Sequence, residues 1–222
     1  MMNYTGKHSF WLFALALTGV AGFLTGIAID DYTLRMITKP LPVLSLLFLL
    51  KPDSKFRKLI YIGFLFSLAG DILLETADSL FVFGLISFLV AHIFYITAFL
   101  KRKTVNAAGI AILLLIFGSG YYYFLFPDLQ QMAIPVLVYI IVILIMVWSS
   151  FVQRKYDRHA RFATWGALFF MFSDSLIAYT KFHAPVEYSR YVIILTYWLA
   201  QYLIFYSALK EKDFPAEAEK PF

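Results

Sequence analysis

The segment that decides the fold is residues 58–75, KLIYIGFLFSLAGDILLE. About 20 apolar residues are enough for a helix to cross the hydrocarbon core of a bilayer. The interior of this segment carries a single charge, Asp71. A second segment, residues 161–180, RFATWGALFFMFSDSLIAYT, has the same form and carries Asp174. Each segment therefore predicts a membrane-spanning helix with one carboxyl group at membrane depth.

The composition of the chain agrees with that prediction. Of the 222 residues, 61% are hydrophobic and 15% are charged, whereas about 25% are charged in an ordinary soluble domain. A soluble globule of this size could not bury so many apolar side chains without exposing large apolar patches. The composition therefore excludes a soluble enzyme, a disordered chain and a nucleic-acid-binding module. Cysteine is absent, which excludes a disulfide framework, a thiolate nucleophile and a cysteine metal site.

Apolar runs of similar length recur along the chain and predict eight membrane spans. The first run has no small-residue cleavage site behind it, so we expect a retained helix rather than a signal peptide. We expect an all-α integral membrane protein with one transmembrane domain over residues 1–209 and a cytoplasmic tail over 210–222. The eight predicted spans are about 10–29, 34–50, 58–75, 80–100, 105–126, 132–152, 161–180 and 189–209.

The net charge of +5 is explained by membrane topology rather than by a nucleic-acid partner. Lys and Arg are enriched in the cytoplasmic loops of membrane proteins. If both termini are cytoplasmic, 15 of the 19 basic residues lie on the inner side. We therefore expect cytoplasmic termini and a multi-pass protein of the plasma membrane, which is the inner membrane in a bacterium. The four basic residues left on the outer side are Arg35, Lys39, Lys181 and Arg190.

The two halves of the chain share a weak pattern. Gly63 precedes Asp71 by eight residues, and Gly166 precedes Asp174 by eight residues. The fourth and eighth predicted spans resemble each other more weakly. A parallel duplication of four helices would account for this pattern and would make the two aspartates equivalent.

Asp71 and Asp174 are expected at the same depth in the bilayer. Each lies 13 residues from the inner end of its helix, counted from Lys58 and Arg161 respectively. At 1.5 Å per residue, both lie about 20 Å from the inner boundary. A charge in hydrocarbon costs about 2.5–3.5 kcal/mol on insertion scales, so each aspartate calls for a function. Their equal depth favours a shared site, although each could instead cap or bridge helices independently.

Other polar residues are expected near these aspartates, and each has a plain structural alternative. Glu75 lies on the same helix face as Asp71 but could simply be solvated at the end of its helix. His92 could form an ordinary hydrogen bond between helices. Lys39, just before a proline, could be an interfacial lysine that reaches toward water. With Asp71 and Asp174 as catalytic residues, the predicted substrate-binding residues are Lys39, His92, Tyr197, Gln201, Glu75 and Arg190.

Several intramembrane chemistries do not fit the sequence. Of the four histidines only His92 is at membrane depth, so the ligands of a zinc site are not present together and no metal or other cofactor is expected. No serine elbow of the Gly-x-Ser-x-Gly kind is present. Intramembrane aspartyl proteases also use two aspartates, but their Gly-x-Gly-Asp and Tyr-Asp motifs are missing here.

Carboxylate acid–base chemistry on a lipid-like molecule remains. Two neighbouring aspartates in a medium of low dielectric constant cannot easily both ionise, so one should hold a proton. A protonated acid beside an ionised base can hydrolyse an acid-labile carbon–oxygen bond. Proton-coupled transporters and lipid scramblases also use membrane aspartates, and these residues alone do not distinguish an enzyme from a carrier.

An ordered set of short motifs resembles the YhhN family of membrane lysoplasmalogenases. Each motif is weak by itself, but together they run in order from about residue 36 to residue 206. They contain Lys39, Asp71, His92, Asp174, Tyr197 and Gln201. The motifs are TKPLP at 38–42, GDILL at 70–74, FLVAHIFY at 88–95, GALFFMFSDSL at 166–176 and YWLAQ at 197–201.

This resemblance implies an eight-helix enzyme that hydrolyses the vinyl-ether bond of lysoplasmalogens. The products would be a fatty aldehyde and glycerophosphoethanolamine or glycerophosphocholine. The expected partners are the lysophospholipid substrate and the bilayer, with no nucleic acid and no cofactor, and the oligomeric state is left open. One aspartate would protonate the vinyl carbon and the other would stabilise the cation and direct a water molecule. Lys39 and Arg190 would hold the phosphate.

Overall fold

The computed structural model describes residues 7–102, 105–153 and 158–209. These residues form helices joined by short turns, and no strand occurs among them. Short 3₁₀ turns at 78–80 and 130–132 join two of the helix pairs. The helices are α1 (Lys7–Ala28), α2 (Tyr32–Thr38), α3 (Leu41–Leu49), α4 (Lys55–Thr76), α5 (Phe81–Leu100), α6 (Ala108–Leu129), α7 (Ala133–Gln153), α8 (Ala160–Phe182) and α9 (Ser189–Leu209).

Six segments among the described residues are long and apolar enough to cross a membrane. The fourth of these, Ala108–Gln153, spans both α6 and α7. Its two helices are separated at Gln130, whose φ of 46° lies in the left-handed region and interrupts the helical path. The other five segments lie along α1, α4, α5, α8 and α9.

The second predicted span is wrong as a single helix. Residues 34–50 are divided between α2, of seven residues, and α3, of nine, and each is too short to cross a bilayer alone. The break lies at Lys39 and Pro40. The Lys39 N–H still donates to the Arg35 carbonyl, but Pro40 has no N–H to continue the ladder. Lys39 therefore sits at a helix break, where its side chain can reach the end of α4.

Close approach of helices depends on small residues, as in other membrane bundles. The ring of Tyr95 on α5 occupies the space where a side chain at Gly63 of α4 would lie. In the α8–α9 pair, a Cβ at Gly166 would lie 2.9 Å from the Ala200 carbonyl oxygen. Both glycines noted in the sequence pattern therefore mark contacts in which a methyl group would not fit.

The described connections lie at two ends of the bundle. At one end, the turns around 29–31, 77–80, 129–132 and 183–188 are cross-linked by side chains, and we call this the site end. At the opposite end, the Arg57 Nε donates to the Ala208 carbonyl, and Arg102 donates to Gln153 and Ser207. The predicted tail, 210–222, lies outside the described residues, and the orientation in the membrane stays a prediction.

Candidate active site

A cavity of about 220 Å³ opens at the site end of the bundle. It lies among α4, α5, α8 and α9, with the helix break before α3 at its edge. Its wall combines apolar side chains with a concentration of charged ones. Six of the eight predicted site residues line it: Lys39, Asp71, Glu75, Asp174, Arg190 and Tyr197.

Asp71 of α4 is only 2% exposed and is held by a tyrosine from the last helix. The Tyr197 hydroxyl donates to Asp71 Oδ2 at 2.8 Å. The Tyr197 ring is fixed in turn by edge contacts with Phe88 and Phe170, at centroid distances of 5.6 and 5.3 Å. Asp71 is therefore presented to the cavity in a fixed orientation.

Asp174 of α8 has a matching arrangement. The Tyr139 hydroxyl of α7 donates to Asp174 Oδ2 at 2.6 Å. His92 Nε2 lies 3.8 Å from the same oxygen, beyond ordinary hydrogen-bond distance. The ring of His92 therefore lies beside Asp174. Tyr139 was missed because a tyrosine among apolar residues gives no signal of its own until α7 is packed against α8.

Glu75 is the centre of a charge cluster one helical turn outward from Asp71. It accepts hydrogen bonds from Arg35 at 3.0 Å, from Lys39 at 3.2 Å and from Arg190 at 3.2 Å. The side chains of Glu75, Arg35 and Lys39 are 6%, 9% and 11% exposed, whereas that of Arg190 is 53% exposed. These three cations face two carboxylates, Glu75 and the Asp30 that also contacts Arg35, so one positive charge is in excess, which suits an anionic ligand. The alternative of Glu75 as a plain solvated helix end does not agree with this burial.

Arg35 was counted in the sequence only as a basic residue of the outer side. It is buried, and it also donates to the Gly26 carbonyl and to Asp30. Its spacing of four residues from Lys39 puts both side chains on one face of the chain, and this spacing is the signal that could have identified it.

Gln201 and His92 do not line the cavity but lie behind its wall. The Tyr95 hydroxyl is within hydrogen-bond distance of Gln201 Oε1, at 3.0 Å, and of Ser67 Oγ, at 3.1 Å. His92 and Gln201 are fully buried. Tyr95, Gln201 and Ser67 form a polar cluster that connects α4, α5 and α9 behind the cavity wall.

An apolar cavity of about 50 Å³ adjoins the charged one. Asp174 lines both cavities, as do Phe81 and Phe88. The rest of the apolar cavity is lined chiefly by aliphatic and aromatic side chains of α7 and α8, among them Val136, Ile140, Ile143 and Met171. The site therefore has a charged half toward the end of the bundle and a smaller, apolar half beside it.

Comparisons with known proteins agree with the sequence motifs. The YhhN family matches residues 34–208, a range that contains all eight predicted site residues. The chain belongs to the YhhN family. This YhhN chain is 31% identical over 205 residues to lysoplasmalogenase TMEM86B of Mus musculus, with 90% of the chain and 87% of that protein covered.

Lysoplasmalogenase TMEM86A of Homo sapiens is 37% identical to the YhhN chain over 174 residues, with 75% of the chain and 70% of that protein covered. TMEM86A of Bos taurus is 36% identical over 173 residues, with the same coverage. No solved structure matches. The family prediction is thereby confirmed, while the roles of individual site residues stay predictions.

Proposed function

We propose that this chain is a membrane hydrolase that cleaves the vinyl-ether bond of lysoplasmalogens. The observation that carries the proposal is one cavity lined by Asp71 and Asp174, with a positive cluster at one side and an apolar cavity at the other. A lysophospholipid has the same division, because its phosphate is joined through glycerol to a hydrocarbon chain. The names of the relatives support the same substrate class.

The reaction consumes one water molecule and needs both an acid and a base. One carboxyl group donates its proton to the vinyl carbon farther from the ether oxygen, which leaves an oxocarbenium ion at the nearer carbon. The other carboxylate stabilises that cation and takes a proton from the water that attacks it. When the hemiacetal C–O bond to glycerol breaks, the second carboxyl group gives its proton to the glycerol oxygen, and the first carboxylate takes the proton of the hemiacetal hydroxyl. The products are a fatty aldehyde and a glycerol hydroxyl, and both groups return to their starting states.

The remaining residues position these groups. Tyr197 and Tyr139 each hold one aspartate, and the buried His92 lies behind the Asp174 carboxylate at 3.8 Å. Lys39 and Arg190 would bind the phosphate, and Glu75 keeps both of them at the cavity. Gln201 supports the site indirectly, through Tyr95 and Ser67.

The topology that goes with this function has eight passes. In it, α6 and α7 each cross the bilayer, and α2 with α3 form one broken pass, consistent with discontinuous helices at membrane sites. Residues 1–209 form one transmembrane domain, and both termini and the 210–222 tail are cytoplasmic. The site then opens to the outer face of the plasma membrane. The packing of α1 on α3, and of α6 on α7, is consistent with a 4+4 repeat.

The direct test measures aldehyde released from lysoplasmalogen by the purified protein and its variants. We expect Asp71→Asn and Asp174→Asn each to lose activity at least a hundredfold while remaining folded, since each removes one of the two acid–base groups. Asp128→Asn is the matched control, because Asp128 pairs with His183 away from the cavity. If both site variants keep wild-type turnover, the proposed mechanism is wrong. Transport of the lipid into liposomes without cleavage would favour the carrier instead.

A further inference from the structure

An ion pair at the mouth of the charged cavity has no part in the function proposed above. The Lys181 ammonium of α8 donates to Asp78 Oδ1 at 2.7 Å. Both residues line the cavity, and the Lys181 ammonium also lies 5.1 Å from the centroid of the Phe81 ring. The side chain of Asp78 is 95% exposed and that of Lys181 is 37% exposed. Exposed ion pairs contribute little to stability, so this one can exchange partners at small cost.

The charged groups of the cavity are arranged in order along its wall. Asp71 and Glu75 are separated by one helical turn, about 6 Å. Lys181 follows Asp174 by seven residues within α8, a rise of about 10 Å, and its ammonium contacts Asp78 in the turn after α4. From the interior outward, the cavity therefore presents the two aspartates, then the positive cluster around Glu75, then the Asp78 carboxylate.

A lysoplasmalogen with an ethanolamine head group has its charges in the same order. Six bonds separate the vinyl carbon next to oxygen from the phosphorus, which is about 7 Å along an extended chain. Four more bonds reach the ammonium nitrogen, for about 12 Å in all. With the vinyl ether at the aspartates, the phosphate reaches Lys39 and Arg190, and the ammonium reaches the level of Asp78.

The chemistry of the present partner of Asp78 points to the same ligand. The Lys181 side chain ends in a primary ammonium on a methylene group, as ethanolamine does. A primary ammonium donates hydrogen bonds, whereas the quaternary nitrogen of choline has no N–H to donate. Replacing Lys181 by the head group would keep one carboxylate and one ammonium in contact, and would release Lys181 toward the phosphate.

We propose that Asp78 binds the ammonium of an ethanolamine head group and that Lys181 occupies this subsite when substrate is absent. The assignment rests on the proposed function, since it takes the vinyl ether to lie at Asp71 and Asp174. Asp78 thereby sets a preference for ethanolamine over head groups without a primary ammonium.

The test compares aldehyde release from three lysoplasmalogens that carry phosphoethanolamine, phosphocholine or phosphoglycerol. The quantity measured is the ratio of kcat/KM for the ethanolamine substrate to kcat/KM for the phosphoglycerol substrate. We expect Asp78→Asn to lower this ratio about two- to fivefold, because the free energy of an exposed ion pair corresponds to a factor of about that size. Lys181→Met should hold or raise the ratio, because it removes the competing ammonium. Asp128→Asn, an aspartate outside the cavity, should leave the ratio at the wild-type value.

The outcomes separate the two proposals. Aldehyde release with the same ratio in Asp78→Asn and Asp128→Asn would overturn the head-group assignment alone. A lower ratio in Lys181→Met would also overturn it, because it would identify Lys181 as a ligand that favours ethanolamine. If the wild-type protein releases no aldehyde from any of the three lipids, the proposed function fails and the assignment fails with it.

Discussion

Gly63→Ala should damage the protein more than its size suggests. An added Cβ would lie 2.2 Å from Tyr95 Cε1 and 2.7 Å from Cδ1. Tyr95 is fully buried among other rings, including Phe64 at 6.0 Å, so its ring has no free space to move into. Any displacement also disturbs the contacts of its hydroxyl group with Ser67 and Gln201.

The expected size follows from three contributions. Overpacking a buried site costs about 1–3 kcal/mol, and buried polar groups that lose their partner cost about 1–3 kcal/mol each. Alanine in place of glycine stabilises the helix by about 1 kcal/mol, because its helix propensity is higher. If one polar group loses its partner, the net loss of stability is about 1–5 kcal/mol. At about 2–4 °C per kcal/mol for a chain of this size, the Tm should fall by about 2–20 °C.

Gly120→Ala is the matched control, because it lies in α6 and a Cβ there meets nothing within 4 Å. It should leave the Tm unchanged or raise it by a few degrees. The assay is thermal unfolding in detergent, followed by tryptophan fluorescence, with aldehyde release measured on the same samples. If the two variants have the same Tm, the packing of Tyr95 on Gly63 is not as described and the reasoning fails.

Two further substitutions test the charge cluster and the second aspartate. Glu75→Gln should lower stability by about 3–5 kcal/mol, because the buried Arg35 and Lys39 lose the Glu75 carboxylate. Arg190→Gln changes the exposed partner of Glu75, and thermal unfolding should show a much smaller loss of stability for it. Equal losses would contradict the importance of burial. Tyr139→Phe should lower kcat about ten- to a hundredfold, since a hydrogen bond to a charged group contributes about 1.5–3 kcal/mol. If this variant keeps the wild-type kcat, the Tyr139 hydroxyl is dispensable.

Much of the site was predictable because single polar residues in apolar runs are conspicuous. Asp71 and Asp174 stand out in this way, and both line the cavity. Tyr139 and Arg35 do not stand out, because tyrosine is common in apolar helices and an arginine near a span end is ordinary. Their roles depend on which helices are neighbours, and helix periodicity contains no information about that.

The second predicted span shows the same limit in the fold. Residues 34–50 predict one span because of their length and the apolar run after Pro40, although Arg35 and Lys39 are charged. The structure divides this run at Lys39 and Pro40, where Pro40 has no N–H to continue the hydrogen-bond ladder. Length and hydropathy measure the suitability of a segment for lipid, whereas the helix path also depends on each backbone donor.

The sequence by itself determined that this is an apolar all-helical chain of the YhhN family with carboxyl groups at membrane depth. Those conclusions depend on composition, on the length of apolar runs and on short motifs, which are properties of the linear chain. The tertiary structure alone decided that Glu75 gathers Arg35, Lys39 and Arg190, and that each aspartate receives a tyrosine hydroxyl. These contacts join residues 35 to 126 positions apart, so they exist only once the helices have packed side by side.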